Sequence, residues 1–523
     1  MRIPKVFGIE TEWSVRVRTR NSIRLANAKE FGVLIKFIRE FFTLTNTGQD
    51  SQWEACSVDA DRELDQEIDL RHIESIGYLP NGARLYVDWP HLEYSTPECR
   101  TIRDLIAADQ AGNWLLNMAA KKASQLLKRE IIIIKDNSDR NGHSYASHEN
   151  YSLHPKTFEA LIDRHNSEVR DLILPFLVTR QILAGAGKVG SEANNLRSKD
   201  YGETNFQISQ RADFINEIIG IATTSPRNLI NRRDEPHADS DLCRRLHVIV
   251  GDANFCDWSY FLRIGTYALV LRMLEDCFIG NPPVCGDNHW LEALYQTSRD
   301  LTCKKKLRIG TRHQPQMNPI EIQRWYLNLA KEYLIEFKGS AEDFEVCEKW
   351  EYVLNALEND PNQLFGVLDW VTKKCILDQY LQRQGLLWQD SRLRVIDIAY
   401  HNISDEAGLY YQLLKKGKIH RLINDELLMD RVHNPPVDTR AYLRGKIARL
   451  YPEFVEDWEI ISNRMPSRFR KERLDSLRVV LEEKHIITLG NPVLTREESE
   501  EIFKQIINLL KSWKGGSEDV NTT

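Results

Sequence analysis

Ionisable residues set at β-strand periodicity limit this chain more than any other feature. Gly8-Ile9-Glu10-Thr11-Glu12 and Arg84-Leu85-Tyr86-Val87-Asp88 both read as strands. Side chains two apart share one face of a sheet, so Glu10 pairs with Glu12, and Arg84, Tyr86 and Asp88 form a row. Buried charge is costly without a partner, so such rows hold a metal ion, a charged ligand or an opposite charge. A solvated edge strand with paired charges is the alternative.

Length and composition narrow the class. With 523 residues, 42% hydrophobic and 28% charged, the chain has material for a large core and more than one unit. A net charge of −6, from 70 basic and 76 acidic residues, gives no support for nucleic-acid binding. Nine cysteines, odd in number and without a Cys-x-x-Cys pair, suggest reduced core residues rather than a disulfide frame or zinc site. The start, Met1-Arg2-Ile3-Pro4-Lys5, carries no apolar signal, and no apolar run approaches the roughly 20 residues that span a bilayer. A cytoplasmic protein without membrane contact is expected.

Periodicity predicts a strand over 5–12, a helix over 28–43, a turn at Asn81-Gly82, a strand over 83–88, a helix over 101–127 and a buried strand over 129–135. Residues 44–80 are polar and acidic and read as a long loop, either a lid or an excursion. Helices are expected to dominate 150–235. Arg245 to Gly251 reads as a strand with Arg245 and His247 on one face. Residues 258–280 and most of 318–430 read as helical, Pro435-Pro436 breaks the pattern, and the tail from Gly515 should fray.

The polar faces Glu10/Glu12, Arg84/Tyr86/Asp88 and Arg245/His247 suggest a sheet whose concave side is a working surface. Magnesium prefers carboxylates, waters and substrate phosphates, and carboxylates at Glu10, Glu12 and Glu93 could hold it against a nucleotide. Arginine's planar fork suits phosphate. Lys135 to Asp139 and Ser144 to Tyr151 read as a polar site loop, with a plain turn of hydrogen-bonding residues as the alternative, and Arg233 to Asp239 is similar. Gly185-Ala186-Gly187-Lys188 lacks the spacing of a phosphate-binding P-loop.

The chain resembles the Pup ligase and Pup deamidase family (PafA and Dop), relatives of glutamine synthetase and the carboxylate–amine ligases. The matching pieces are Gly8 to Glu12, Asn81 to Asp88, Glu93-Tyr94-Ser95, Ser144-Tyr145 with His148 to Tyr151, and Pro175 to Gln181. They continue with Arg233 to Asp239, Arg244 to Asn254, Pro435-Pro436, Thr439-Arg440-Ala441 and Arg444-Gly445. The resemblance implies an α+β fold: a curved, glutamine synthetase-like antiparallel sheet with helices on its convex face. It implies a catalytic domain over 1–435, with an insertion loop at about 44–80, and a small C-terminal domain over 436–523. It also implies ATP, or ADP and phosphate, bound with Mg2+ in the concave cradle. By motif, Glu10, Tyr86 and Glu93 correspond to magnesium ligands, Arg84, Thr96 and Trp458 to nucleotide contacts, and Asp88 to the catalytic aspartate. Glu12, His148, Glu149, His237 and His247 are additional candidates without a definite role. The implied partners are a Pup-like protein modifier and proteins tagged with it, with a functional link to a bacterial proteasome.

Two chemistries share this scaffold. The deamidase converts the modifier's C-terminal Gln to Glu and cleaves the modifier–lysine isopeptide bond; the ligase phosphorylates a C-terminal Glu and joins it to lysine. Asp88 and Glu93 are five residues apart, as in the deamidase pattern, whereas the ligase pattern has one residue more. The loop at 44–80, Asn81-Gly82-Ala83 and Gly251 to Asn254 point the same way, while Thr179-Arg180-Gln181 and Ala222-Thr223-Thr224 are closer to the ligase. Trp89-Pro90-His91-Leu92, Lys135-Asp136-Asn137 and Ile230 to Arg233 depart from the deamidase pattern. The expectation is the hydrolase, with the ligase second and a non-catalytic binding protein last.

Overall fold

In a computed structural model of the chain, the residues described are 3–46, 78–192, 204–450 and 478–515. Within these ranges 89, 141, 146, 164, 166, 223–225, 235–238, 286–288, 482–484 and 489–490 are excepted. The 44–80 insertion thus lies largely outside the described residues, as do His237, Trp458 and the end of the tail. Nine strands form the main sheet among the described residues. They are β1 (Phe7–Arg18), β2 (Ile23–Leu25), β3 (Arg84–Asp88), β4 (His91–Ser95), β5 (Glu130–Ile134), β6 (Ser147–Leu153), β7 (Ile215–Gly220), β8 (Arg227–Asn231) and β9 (Arg244–Val248). Their order is β3-β4-β1-β6-β9-β8-β7, with β2 and β5 also paired to β1. All pairs are antiparallel except β7 with β8.

The alternating direction of side chains along β1 decides which face is which. Phe7, Ile9, Trp13, Val15 and Val17 are buried, whereas Gly8, Glu10 and Glu12 line a cleft. Helix α1 (Ala28–Asn46) and helix α2 (Ile102–Leu127) cover the apolar side. Thr101 caps α2, its side chain accepting from the Asp104 amide, which supplies one of the partners that a helix start lacks. Thr11 Oγ1 donates to Asp109 Oδ1 at 2.6 Å and Trp13 Nε1 to Asn113 Oδ1 at 3.1 Å, locking α2 in register with β1. Gly112 allows that approach, since a Cβ there would lie 2.9 Å from Tyr94. Helix α3 (Asp257–Glu275) is buried on nearly every side beneath an outer layer of α4 (Pro319–Phe337) and α5 (Ala341–Asn359).

The expected strands and helices are present with shifted ends, but 150–235 is not mainly helical. It supplies most of β6 and all of β7 and β8, and Ser147 to Tyr151, read as part of a site loop, lie in this central strand. The Asn81-Gly82 turn forms, with Gly82 at φ +79°, a conformation that side chains with a Cβ rarely adopt. After Pro435-Pro436 the chain returns to this turn: Arg444 Nη2 donates to the Gly82 carbonyl at 2.7 Å, and Arg440 and Arg444 clamp Glu98. A helix over Arg496–Gly515 joins through Tyr442 and Lys446, both bonded to Glu500.

Buried ion pairs secure the layers. Asp213 lies between Lys188 and Arg299. Burial alone would raise its carboxyl, but the two cations hold it down at about 2, against an ordinary 3.8. A depressed acid contributes stability above its unfolded value and loses it as the pH falls through the folded one. The stability difference between wild type and Asp213→Asn, measured by urea melts, is therefore expected to be constant above pH ~4 and to shrink between pH ~4 and ~2. A difference that stayed constant to pH 2 would remove the pair from acid stability.

Candidate active site

Strand register brings the sequence candidates together. Across β3, β4 and β1, Tyr86 faces Glu93 and Glu93 faces Glu12; one row on, Arg84 faces Ser95, Ser95 faces Glu10 and Glu10 faces His148 of β6. At the strand ends Asp88 faces His91 and His91 faces Ser14, and at the other end Gly8, Asn150 and His247 align. These rows floor a cleft of about 820 Å³ lined by Glu10, Glu12, Arg84, Tyr86, Asp88, Glu93 and Thr96 among others. Eight of the candidate positions, Glu10, Glu12, Arg84, Tyr86, Glu93, Thr96, His148 and His247, therefore share one cleft with Asp88. Thr96 meets it through its wall: its hydroxyl accepts from the Ile9 amide at 3.0 Å and ties β4 to β1.

The electrostatics of the floor call for a cation. Glu12 and Glu93 are directly opposed, an arrangement that repels at about 5 Å. Burial, then Glu12 and Glu10, push the Glu93 carboxyl well above its ordinary value. Burial also pushes up the Tyr86 phenol, assisted by Glu93 and Glu10, so it is a neutral oxygen donor. At Asp88, burial and then Glu12 raise the carboxyl, while His91 and His148 act against them. For Glu10, burial is outweighed by the His148 hydrogen bond and by His247 and Arg245, and the carboxyl falls well below its ordinary value. Three clustered carboxylates with a phenol oxygen match the all-oxygen donor set that Mg2+ takes. Glu10, Tyr86 and Glu93 would hold the ion, and Glu12 would stand across from it.

Glu10 also belongs to a second donor set, with His148 and His247, whose ligand atoms all lie within 4.8 Å of one another. Arg245 Nη1 and Asn150 Nδ2 each donate to Glu10 Oε1 at 3.1 Å, leaving Oε2 toward the imidazoles at 3.4 and 3.5 Å. Burial pulls His247 well below its ordinary value despite Glu10, so its ring is neutral near pH 7, the form that ligates metals.

Glu149 has a different place. It neighbours His148 on β6, so its side chain points to the opposite face, where Arg180 grips it with two bonds of 2.6 and 2.8 Å and Tyr151 donates at 2.6 Å. It belongs to the core. Lys135, Asp136, Asn137 and Ser138, read as a site loop, are likewise buried behind the cleft. Sequence reasoning overlooked Arg211 and Arg227, which line the same cleft. Arg211 lies outside the strands and Arg227 opens β8, and no local sequence pattern marks either of them. Burial and the neighbouring Arg227 pull Arg211 down to about 9, although Glu12 and Asp252 oppose this. Two crowded guanidiniums facing a cleft suit an anion.

If Glu93 is held against its will, relieving it should stabilise the metal-free protein. Glu93→Gln is expected to melt above wild type without divalent ions, and to gain less from added Mg2+ or Mn2+, because the ion stabilises only in proportion to its affinity. Thermal scans with and without each ion check both halves.

Among the described residues no helix is long and apolar enough to cross a membrane, and the eight described cysteines are all free thiols.

Relatives agree with this architecture. Residues 5–462 match the family model described as Pup-ligase protein. A depupylase of Acidothermus cellulolyticus is 38% identical over 427 residues, 80% of this chain and 81% of that one. A Pup deamidase/depupylase of Mycolicibacterium smegmatis is 37% identical over 71% of this chain and 72% of its own. A Pup–protein ligase of Renibacterium salmoninarum is 38% identical over 90% of this chain and 97% of its own. Among solved structures, the Pup ligase PafA in complex with Pup superposes with a TM-score of 0.73 at 27% identity, covering 98% of this chain and 93% of that one. PafA in complex with ADP gives 0.66 at 29% identity, over 83% and 90%. A concave polar sheet floor, a helical back and this span of sequence similarity lead to one conclusion: the chain belongs to the Pup-ligase family of PafA and Dop enzymes.

Proposed function

We propose that this protein is an amidohydrolase of the Pup deamidase and depupylase type, acting on a Pup-like modifier with nucleotide and Mg2+ as a standing cofactor. The observation that supports it most is the connection between β3 and β4. Only residues 89 and 90 separate Asp88 from His91, and this short hairpin sets Asp88 opposite His91. The ligase pattern, one residue longer, would shift that pairing. Asp88 would attack the terminal side-chain carbonyl, or take a proton from water that does. A raised carboxyl is the stronger proton acceptor. In the water route the water oxygen bonds to the carbonyl carbon, the carbon–nitrogen bond breaks, and ammonia or a lysine amine leaves with the proton. In the direct route the amine leaves with a proton from water, whose hydroxide then opens the anhydride formed on Asp88 and frees the carboxylate. Mg2+ held against the bound nucleotide, together with Arg84, would supply positive charge for the developing oxyanion. Glu10, Tyr86 and Glu93 would hold the ion, Arg84, Thr96 and Trp458 the nucleotide, and Arg211 and Arg227 an anionic group of the substrate or cofactor. Pup-tagged proteins are the proposed substrates beside the modifier, with a functional link to a bacterial proteasome.

The second reading, a ligase, draws on the Renibacterium salmoninarum relative, a Pup–protein ligase matched over 90% of this chain. One experiment separates the two. With ATP and Pup ending in Gln, the hydrolase is expected to release ammonia without stoichiometric ADP. With Pup ending in Glu and a lysine-bearing protein, a ligase would make a conjugate and one ADP for each bond. Conjugation without ammonia release would overturn the proposal.

A further inference from the structure

A line of contacts with no part in the reading above runs from the interior to the Asp88 hairpin. Asp136, 1% exposed, lies behind the cleft and accepts a hydrogen bond from the Tyr145 hydroxyl. The Tyr145 carbonyl is fixed by Asn137 Nδ2 at 3.0 Å and Arg211 Nη1 at 2.6 Å. The Tyr145 ring lies against the His91 imidazole, centroids 4.2 Å apart and planes 31° from parallel. His91 Nδ1 is 3.3 Å from Glu12 Oε2, and His91 is the cross-strand neighbour of Asp88. The imidazole is thus bounded by a ring behind, one carboxylate beside it and another across the ladder.

The tether is not what stability alone would select. Asp136 Oδ2 has no hydrogen-bond partner among the described residues, and burial drives the carboxyl up to about 6, with Arg16 and Arg140 acting against it. A half-satisfied buried acid costs free energy, and such costs gather where geometry serves a reaction.

We propose that Tyr145, anchored by Asp136, is a positioning residue that holds His91 between Glu12 and Asp88 and so sets the Asp88 carboxylate toward the substrate carbonyl. The inference rests on Asp88 being the reacting carboxylate. A displacement of about 1 Å at such a group lowers the rate by about 10²-fold. Asp136 and Tyr145 act on the chemical step without bonding Glu10, Glu12, Tyr86, Glu93 or Arg84, and His91 reaches the carboxylate cluster only through Glu12.

The test follows ammonia release from Pup ending in Gln, with ADP affinity and melting temperature measured on the same preparations. Tyr145→Leu, which removes the stacked ring, is expected to lower kcat by about 10²-fold. Tyr145→Phe, which keeps the ring and loses the tether, is expected to lower it by about tenfold. KM and the ADP dissociation constant should stay within about twofold in both, since neither variant touches the nucleotide cradle. Asp136→Asn retains an acceptor for the hydroxyl and should remain near wild type. His91→Gln should match Tyr145→Leu, and the double variant should be no slower than either single one, since the two residues act as a unit. Wild-type kcat in Tyr145→Leu, multiplicative losses in the double variant, or kcat, ADP affinity and melting temperature falling together would each overturn the inference. Asp88→Asn run alongside separates the causes. If it still cleaves, the underlying reading fails and this one with it. If it is inactive while Tyr145→Leu is fully active, only the positioning role is lost.

Discussion

Asp88→Asn is expected to bind ADP as wild type does and to release neither ammonia nor free Pup. The substitution keeps the shape of the side chain and the β3–β4 ladder, which rests on backbone bonds. It removes the negative charge needed for attack or proton transfer, and loss of such a group costs on the order of 10³-fold or more in rate. Nucleotide affinity should hold because Asp88 stands at the strand end, while Arg84 and the cluster of Glu10, Tyr86 and Glu93 lie farther along the sheet. Burial and Glu12 raise the Asp88 carboxyl in wild type. Removing its charge therefore also relieves repulsion, and the melting temperature should not fall. Isothermal titration with ADP and an ammonia assay decide the matter. Cleavage at more than a tenth of the wild-type rate would take the reaction away from Asp88.

Glu149→Ala is expected to destabilise the protein by about 3–5 kcal/mol, as breaking one side of a buried ion pair does. Its carboxylate is fully buried and receives Arg180 at 2.6 Å, the Tyr151 hydroxyl at 2.6 Å and Arg263 at 3.7 Å. Removing it strands two guanidiniums in the core. A typical domain has about 5–15 kcal/mol to lose, so the variant should express poorly or unfold at low denaturant. Glu149→Gln, which keeps an oxygen for Tyr151 but no charge, should fall between. Denaturant midpoints measure both. A shift below about 1 kcal/mol in Glu149→Ala would mean that Arg180 and Arg263 find other partners. The adjacent His148→Ala supplies the contrast, since it should spare stability and weaken divalent-ion binding.

That contrast shows why β6 was the hardest element to read. Ser147-His148-Glu149-Asn150-Tyr151-Ser152-Leu153 is polar on both faces, so its sequence signals a loop. One polar face serves the cleft. The other is made tolerable by Arg180, which arrives from the junction of two short helices, Leu174–Thr179 and Gln181–Ala184, 31 residues away. Strand β1 carries the same period but places Ile9, Trp13, Val15 and Val17 on its inner face, and it was legible for that reason. Asp136 and Asn137 misled in the opposite sense. Their polarity suggested exposure, yet Gln210 bonds to the Asn137 amide and Tyr145 to Asp136 deep behind the floor.

Period-two alternation is a property of the chain itself, so the sequence alone determined that Glu10 sits beside Glu12, and Arg84 beside Tyr86 and Asp88. It also determined the Asn81-Gly82 turn, which needs a residue free of a Cβ. The tertiary structure decided which strands stand next to one another. The opposition of Glu12 to Glu93, the approach of His148 and His247 to Glu10, and the inward turn of Glu149 depend on register between segments distant in sequence. Register is set by packing of the apolar face on α2, through contacts such as Thr11 with Asp109 and Trp13 with Asn113. No local pattern encodes those contacts, because each partner is chosen by what the rest of the fold leaves unfilled.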